Sequence, residues 1–262
     1  MNIIRILVSL LLCFILMLGC QNEPSEYDIG YVTKISKEEI AKLEQFIDVT
    51  KDYESVLVDI YNDYIGDYNA IKTYSNCNGN SCLWSDVREE HVSRLKVGNL
   101  IEEYSKLVEM LQTGIDNYTP QTLINSIDKF KEDLKGELPL IGEENQRRPH
   151  NASIARNIAE SYYNTMKIAV TSYVDAFAYL VSTLSSPELT EATESFATAS
   201  KVFVEKRGDA ATHAILYGIM TIISQGSLIN AQSISEMFGK EGEEFSPSIG
   251  KLYYVYKASK PY

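Results

Sequence analysis

The sequence predicts an all-α protein, an elongated antiparallel helical bundle of about seven helices, several of them long. Three observations carry this. Apolar residues recur at spacings of three and four through most of the chain, the period of helices with one buried side. Capping residues, glycines and Ser-Pro or Thr-Pro pairs divide that pattern into long segments. No strand-turn-strand series and no internal repeat of fixed period competes with it.

The chain begins with a different element. Arg5 precedes the mostly apolar run Ile6 to Cys20, ILVSLLLCFILMLGC, which is too short for a membrane-spanning helix and the right length for an export signal. Gly19-Cys20 at its end resembles the lipobox of bacterial lipoproteins, with Met17 and Leu18 standing where that box more often has Leu and a small residue. The resemblance implies cleavage of residues 1–19, a diacylglyceryl group on Cys20 and a place in the bacterial cell envelope, anchored to the membrane by lipid. Gln21 resembles the outer-membrane default of organisms with two membranes. Residues 20–35 are polar and unpatterned and read as a lipidated tether.

From Ser36 a single helical domain is expected to run to residue 262. Ser36-Lys37-Glu38-Glu39 has the capping-box form and starts a first helix reaching about Tyr74, with Gly66 a point for a kink. At 100° per residue, Leu43, Phe46, Tyr53, Leu57, Ile60, Tyr61, Tyr64, Tyr68 and Ile71 share roughly a 100° arc, the width of a buried stripe. Glu44, Asp48, Asp52, Asp59 and Asp63 fall opposite, either a docking ridge for a basic partner or a solvated face.

Ser85-Asp86 before Glu89 caps a second helix, expected to end at Gly114, with Val87, Leu95, Leu100, Ile101, Tyr104, Leu107, Val108 and Leu111 on its apolar side. Thr119-Pro120 opens a third, closed at Gly136. Residues 136–151, GELPLIGEENQRRPHN, form the longest interruption, a crossover loop or a boundary between two halves. A fourth helix from about Ala152 to Leu184 carries the seam Ala155, Ile158, Tyr162, Met166, Ala169, Tyr173, Phe177, Leu180 and Leu184. Ser186-Pro187-Glu188 starts a fifth, ending near Gly208. A sixth, Ala210 to Ile223, is apolar nearly all round, and a seventh runs from about Leu228 to Phe238. The tail is polar to Ser248 and then aromatic, with Leu252 to Tyr256 a strand or a packed extension.

Composition narrows the function. The net charge is −12, and −13 once Arg5 leaves with the signal, so nucleic acid and anionic lipid headgroups are repelled, and a basic partner, or solubility alone, is favoured. Of four cysteines only Cys77 and Cys82 remain after Cys13 and Cys20 are assigned, and an oxidising compartment favours their disulfide. Closing so short a loop contributes roughly 2 kcal/mol in the chain-entropy model. Zinc would need two further ligands that nearby His91 alone does not supply.

The motifs of several chemistries are missing from the sequence. It has no phosphate-binding glycine loop, no H-E-x-x-H and no G-x-S-x-G. Adjacent acidic pairs such as Glu102-Glu103 point about 100° apart on a helix and do not converge on one substrate. His213, in the most apolar helix, is the one nominated catalytic residue, a general base or a core histidine with a satisfied hydrogen bond. Trp84, beside the cysteine pair, is a plug over the core or a contact residue.

The reading is therefore a non-catalytic, lipid-anchored binding protein with no cofactor and no metal. It meets a protein partner through Trp84 and the bundle-end loops or through the face of Asp48, Asp52, Asp59 and Asp63. Adhesins, host-ligand binders and inhibitors or immunity proteins fit this description. A structural part of an envelope or secretion assembly is the alternative, and an enzyme with a site around His213 a third.

Overall fold

The computed structural model describes residues 29–75, 97–115, 118, 120–141, 148–208, 215–216, 236 and 238–261. Among the described residues there are six helices and no strand: α1 (Lys37–Ser75), α2 (Val97–Gly114), α3 (Gln121–Ile141), α4 (Arg148–Ser182), α5 (Pro187–Arg207) and α6 (Lys240–Ser259). The predicted all-α bundle is what forms.

α1 starts as its sequence dictates. The Ser36 N–H donates to Glu39 Oε2 at 2.6 Å and the Glu39 N–H donates to Ser36 Oγ at 3.2 Å, closing the capping box. Of the expected stripe, Leu43, Phe46, Tyr53, Leu57 and Ile60 are buried, and Ile47 and Thr50 join them. The side chains of Tyr61, Tyr64, Tyr68 and Ile71 lie outside the described residues. In α2, Leu100, Tyr104, Leu107 and Leu111 are buried, with Ile101 and Val108 packed at the edge; Val87 and Leu95 lie outside the described residues. α2 ends at Gly114 as expected, and a Cβ there would come within 2.8 Å of the Val49 side chain, so glycine lets α2 close on α1.

α3 corrects one expectation. Its backbone stays helical through Gly136 and Pro139 to Ile141. A glycine inside a helix costs about 1 kcal/mol relative to alanine, which a helix packed on its neighbours sustains. α4 in turn begins at Arg148, four residues earlier than expected, with Pro149 in its first turn, where a missing N–H loses no helical bond. Of the interruption read at 136–151, residues 136–141 and 148–151 are thus helical and residues 142–147 lie outside the described residues, while α3 and α4 pack on each other.

α4 is the centre. It touches α1, α2, α3 and α5, while α6 packs on α5. Its seam residues Tyr162, Met166, Ala169, Tyr173, Phe177 and Leu180 are buried, as is Leu184 just past its end, and Val170, Val174, Ala176 and Val181 widen the buried side because neighbours cover it from several directions. Neighbours run antiparallel: Phe46 stacks on Phe177 (centroids 5.7 Å apart), whereas Tyr53, two turns on, donates its hydroxyl to the Ala169 carbonyl at 2.7 Å. On α3, Ser126 donates to Thr165 at 3.2 Å and Asp133 accepts from Ser161.

α5 has the caps read from its sequence. The Leu189 N–H donates to Ser186 Oγ at 3.3 Å, Pro187 occupies the first turn, and Gly208 closes the helix at φ +59°. The backbone conformation at Gly208 is one that favours glycine, and a Cβ there would also displace the end of the Tyr163 side chain.

The tail is the second correction. Instead of a polar segment followed by a strand or extension, residues 240–259 form one helix that passes through Pro247. Phe245, Ile249, Leu252, Tyr253, Val255 and Tyr256 are buried, and this burial offsets the bond lost at the proline. The expected sixth and seventh helices lie mostly outside the described residues; within them Ile215 and Leu216 are helical and buried.

Part of the expected tether is also packed. Val32 and Ile35 are buried, the Ile35 N–H donates to the Ser259 carbonyl at 2.9 Å, and Thr33 N–H and Oγ1 each donate to Glu188 at 3.3 Å. Residues 29–36 therefore join the end of α6 and the start of α5. We call this the entry pole.

Candidate binding surface

α1 turns its apolar side to α2 and α4, and this fixes what it shows to solvent. Glu44, Asp48, Asp52 and Asp59 are all exposed on the outward side. At 1.5 Å per residue the three aspartates span about 16 Å along the helix. Lys51 reaches Asp48 at 3.1 Å and partly offsets its charge. The Asp63 side chain lies outside the described residues, as do Trp84, Cys77, Cys82, His91, His213 and Cys20. Of the residues nominated from sequence, the structure thus brings Asp48, Asp52 and Asp59 onto one open face.

The buried side of the same helix is chemically quiet. Thr50 Oγ1 donates to the Phe46 carbonyl at 2.8 Å and lies 2.6 Å from the Tyr173 hydroxyl. Burial pushes the Tyr53 hydroxyl well above the usual tyrosine range, aided by the nearby Tyr173 and Tyr118. Burial does the same to Tyr173, opposed by its Thr50 bond and reinforced by the Glu54 charge. These hydroxyls stay protonated and act as bundle fasteners. Tyr256 on α6 is pushed up to about 12, by burial first and then by Glu44, which places the start of the acidic face beside α6.

The entry pole holds residues whose role the sequence did not disclose. Glu39, read only as a capping residue, also accepts from Ser185 N–H at 2.6 Å and Ser185 Oγ at 3.0 Å across the α4–α5 turn. Burial would raise its pKa, yet the bonds from Ser36 and Ser185 together pull it from the ordinary 4.5 down to about 2. Glu188 is lowered too, first by its own backbone N–H and then by the Thr33 hydroxyl. Only the Ser36–Glu39 spacing was visible locally, since a contact 146 residues away leaves no periodic signal.

Among the described residues no group of three His, Cys, Asp or Glu side chains is placed to hold a metal ion. No described helix is long and apolar enough to cross a membrane. The arrangement offers an open charged face and rigid packing beneath it.

No curated protein matches the chain. A family model described as complement regulator-acquiring surface protein 2 matches residues 36–258. The matched segment opens on the Ser36 cap and ends one residue before the end of α6, so it takes in the whole helical body. The chain belongs to the complement regulator-acquiring surface protein 2 family.

Proposed function

We propose that this chain is a surface lipoprotein, acylated at Cys20, that captures a host regulator of complement by protein–protein contact and without catalysis. The observation that carries the reading is the family match over residues 36–258, whose description is of a surface protein acquiring such a regulator. The acidic balance of the chain agrees, because it repels nucleic acid and leaves proteins with basic surfaces as partners. We assign the contact to the outward face of α1 at Asp48, Asp52 and Asp59, and extend it to Asp63 and Trp84, which follow in the sequence.

The test is binding of purified complement regulators to immobilised residues 21–262, measured by surface plasmon resonance over a range of salt. Binding that weakens with salt and falls at least tenfold in Asp48→Asn/Asp52→Asn/Asp59→Asn supports both the function and the face. Binding unchanged in that variant and in Trp84→Ala moves the contact elsewhere. Failure of every regulator to bind overturns the function.

A further inference from the structure

Two segments lie together at the entry pole, residues 29–37 and residues 253–261. The Ile35 N–H donates to the Ser259 carbonyl at 2.9 Å and Lys34 Nζ donates to the Ala258 carbonyl at 2.7 Å. In a chain of net charge −12, every charged side chain in these two segments is a lysine: Lys34, Lys37, Lys257 and Lys260. All four are exposed. The ammonium groups of Lys257 and Lys260 lie over the rings of Tyr253 and Tyr256, 5.6 and 4.8 Å from the centroids. Tyr31 stands on the same pole with 89% of its surface in solvent, the most exposed large apolar side chain among the described residues.

Lysine ammoniums beside an open tyrosine ring match the headgroup layer of a bilayer. Phosphates receive the cations and the amphipathic ring sits at the boundary between polar and acyl regions. The position of the chain agrees. Cys20 precedes Ile29 by nine residues, and a chain extended at about 3.3–3.6 Å per residue spans at most about 30 Å.

We propose that the entry pole seats on the membrane, with Lys34, Lys37, Lys257 and Lys260 on headgroup phosphates and Tyr31 in the interface. This inference rests on acylation of Cys20. Glu38, Glu39 and Glu188 share this end, the last two with their carboxylates engaged by Ser36, Ser185 and Thr33, whereas Asp48, Asp52 and Asp59 stand further along α1, where their repulsion from anionic lipid favours the same orientation. The body then stands on one end and turns its opposite end outward, toward a partner in solution.

The experiment uses the acylated protein in vesicles of phosphatidylcholine and phosphatidylglycerol with brominated acyl chains. Trp84→Phe removes the single tryptophan, and Tyr31→Trp or Val202→Trp places a new one at the entry pole or toward the other end of α5. Emission of the Tyr31→Trp protein should shift to shorter wavelength and be quenched, while that of the Val202→Trp protein stays as in water. Adding Lys34→Glu/Lys257→Glu/Lys260→Glu should remove most of the quenching at the entry pole, and high salt should do so without the lysine substitutions. An entry-pole indole that behaves like the one on α5, or quenching indifferent to both lysines and salt, overturns the proposal. Intact mass measured on the same preparation separates the two ideas. Acylated protein that shows no contact defeats the docking alone, whereas protein without acyl chains defeats the anchor and the docking with it.

Discussion

The interface between α1 and α4 and the flank between α5 and α6 join antiparallel helices by different means. The first is aromatic and closed to water: Phe46, Tyr53, Tyr173 and Phe177 stack with centroids 5.0 to 5.7 Å apart, and Thr50 and Tyr53 make their hydrogen bonds inside. The second has a phenylalanine cluster, with Phe203 stacked on Phe245 at 4.6 Å, but its polar contacts are at the rim. There Lys206 meets Glu244 at 2.7 Å, Arg207 meets Glu241 at 2.5 Å and Lys251 meets Glu191 at 2.8 Å, all substantially exposed. Water can replace a rim contact and cannot replace an inner one. The α1–α4 seam should therefore hold most of the register energy, and the ion pairs should add little.

The largest expected effect follows from emptying that seam. Phe46 is fully buried between two rings, so Phe46→Ala removes stacking and leaves a cavity that a rigid bundle fills poorly. We expect a loss of about 3–5 kcal/mol, read from urea unfolding followed by circular dichroism. A loss below about 1 kcal/mol would mean that the seam is plastic and the comparison is wrong. Tyr53→Phe asks less, since it keeps the ring and deletes only the bond to the Ala169 carbonyl. The same measurement should show about 1–2 kcal/mol.

This division explains what the sequence disclosed. The start of α1, the cap of α5 and the stop at Gly208 rest on residues within four positions of one another, and all three were legible. The stripes of α1 and α4 were legible because many positions repeat one period. α6 was not: Leu252 to Tyr256 is too short to show a helical period, and Phe245 and Ile249, which extend it, sit in a polar stretch around Pro247. Gly136 and Pro139 misled because a glycine and a proline are local signals, whereas the helix that runs through them belongs to a bundle in which α3 packs on α4. On the candidate surface, Asp48, Asp52 and Asp59 were placed on one face by periodicity alone. What they meet was not legible, because an exposed carboxylate has the same spacing whether it faces water or a partner.

The entry pole provides a third case, neither buried nor loosely solvated. Glu39 is held well below its ordinary pKa by hydrogen bonds to its charged form, so its contribution is complete above about 4.5 and disappears as pH falls toward about 2. Glu39→Gln should cost about 1 kcal/mol or less near neutral pH, the usual worth of a capping contact. Thermal midpoints of the two proteins, measured from about pH 6 downward, should converge as pH approaches about 2. A gap that stays constant over this range would show that charge is not what Ser36 and Ser185 recognise.

The smallest effect belongs to the rim. Lys201 on α5 reaches Asp175 on α4 at 2.7 Å, with both side chains nearly half exposed. Its Coulomb energy is screened by water and salt, and ordering two long side chains opposes it. Lys201→Ala should therefore change stability by a few tenths of a kcal/mol, and a double-mutant cycle with Asp175→Asn should return a coupling below about 1 kcal/mol that shrinks further in high salt. Coupling as large as that of Tyr53 with its buried carbonyl would place the register energy at the rim after all. Short distance alone would then be a better guide to strength than exclusion of water.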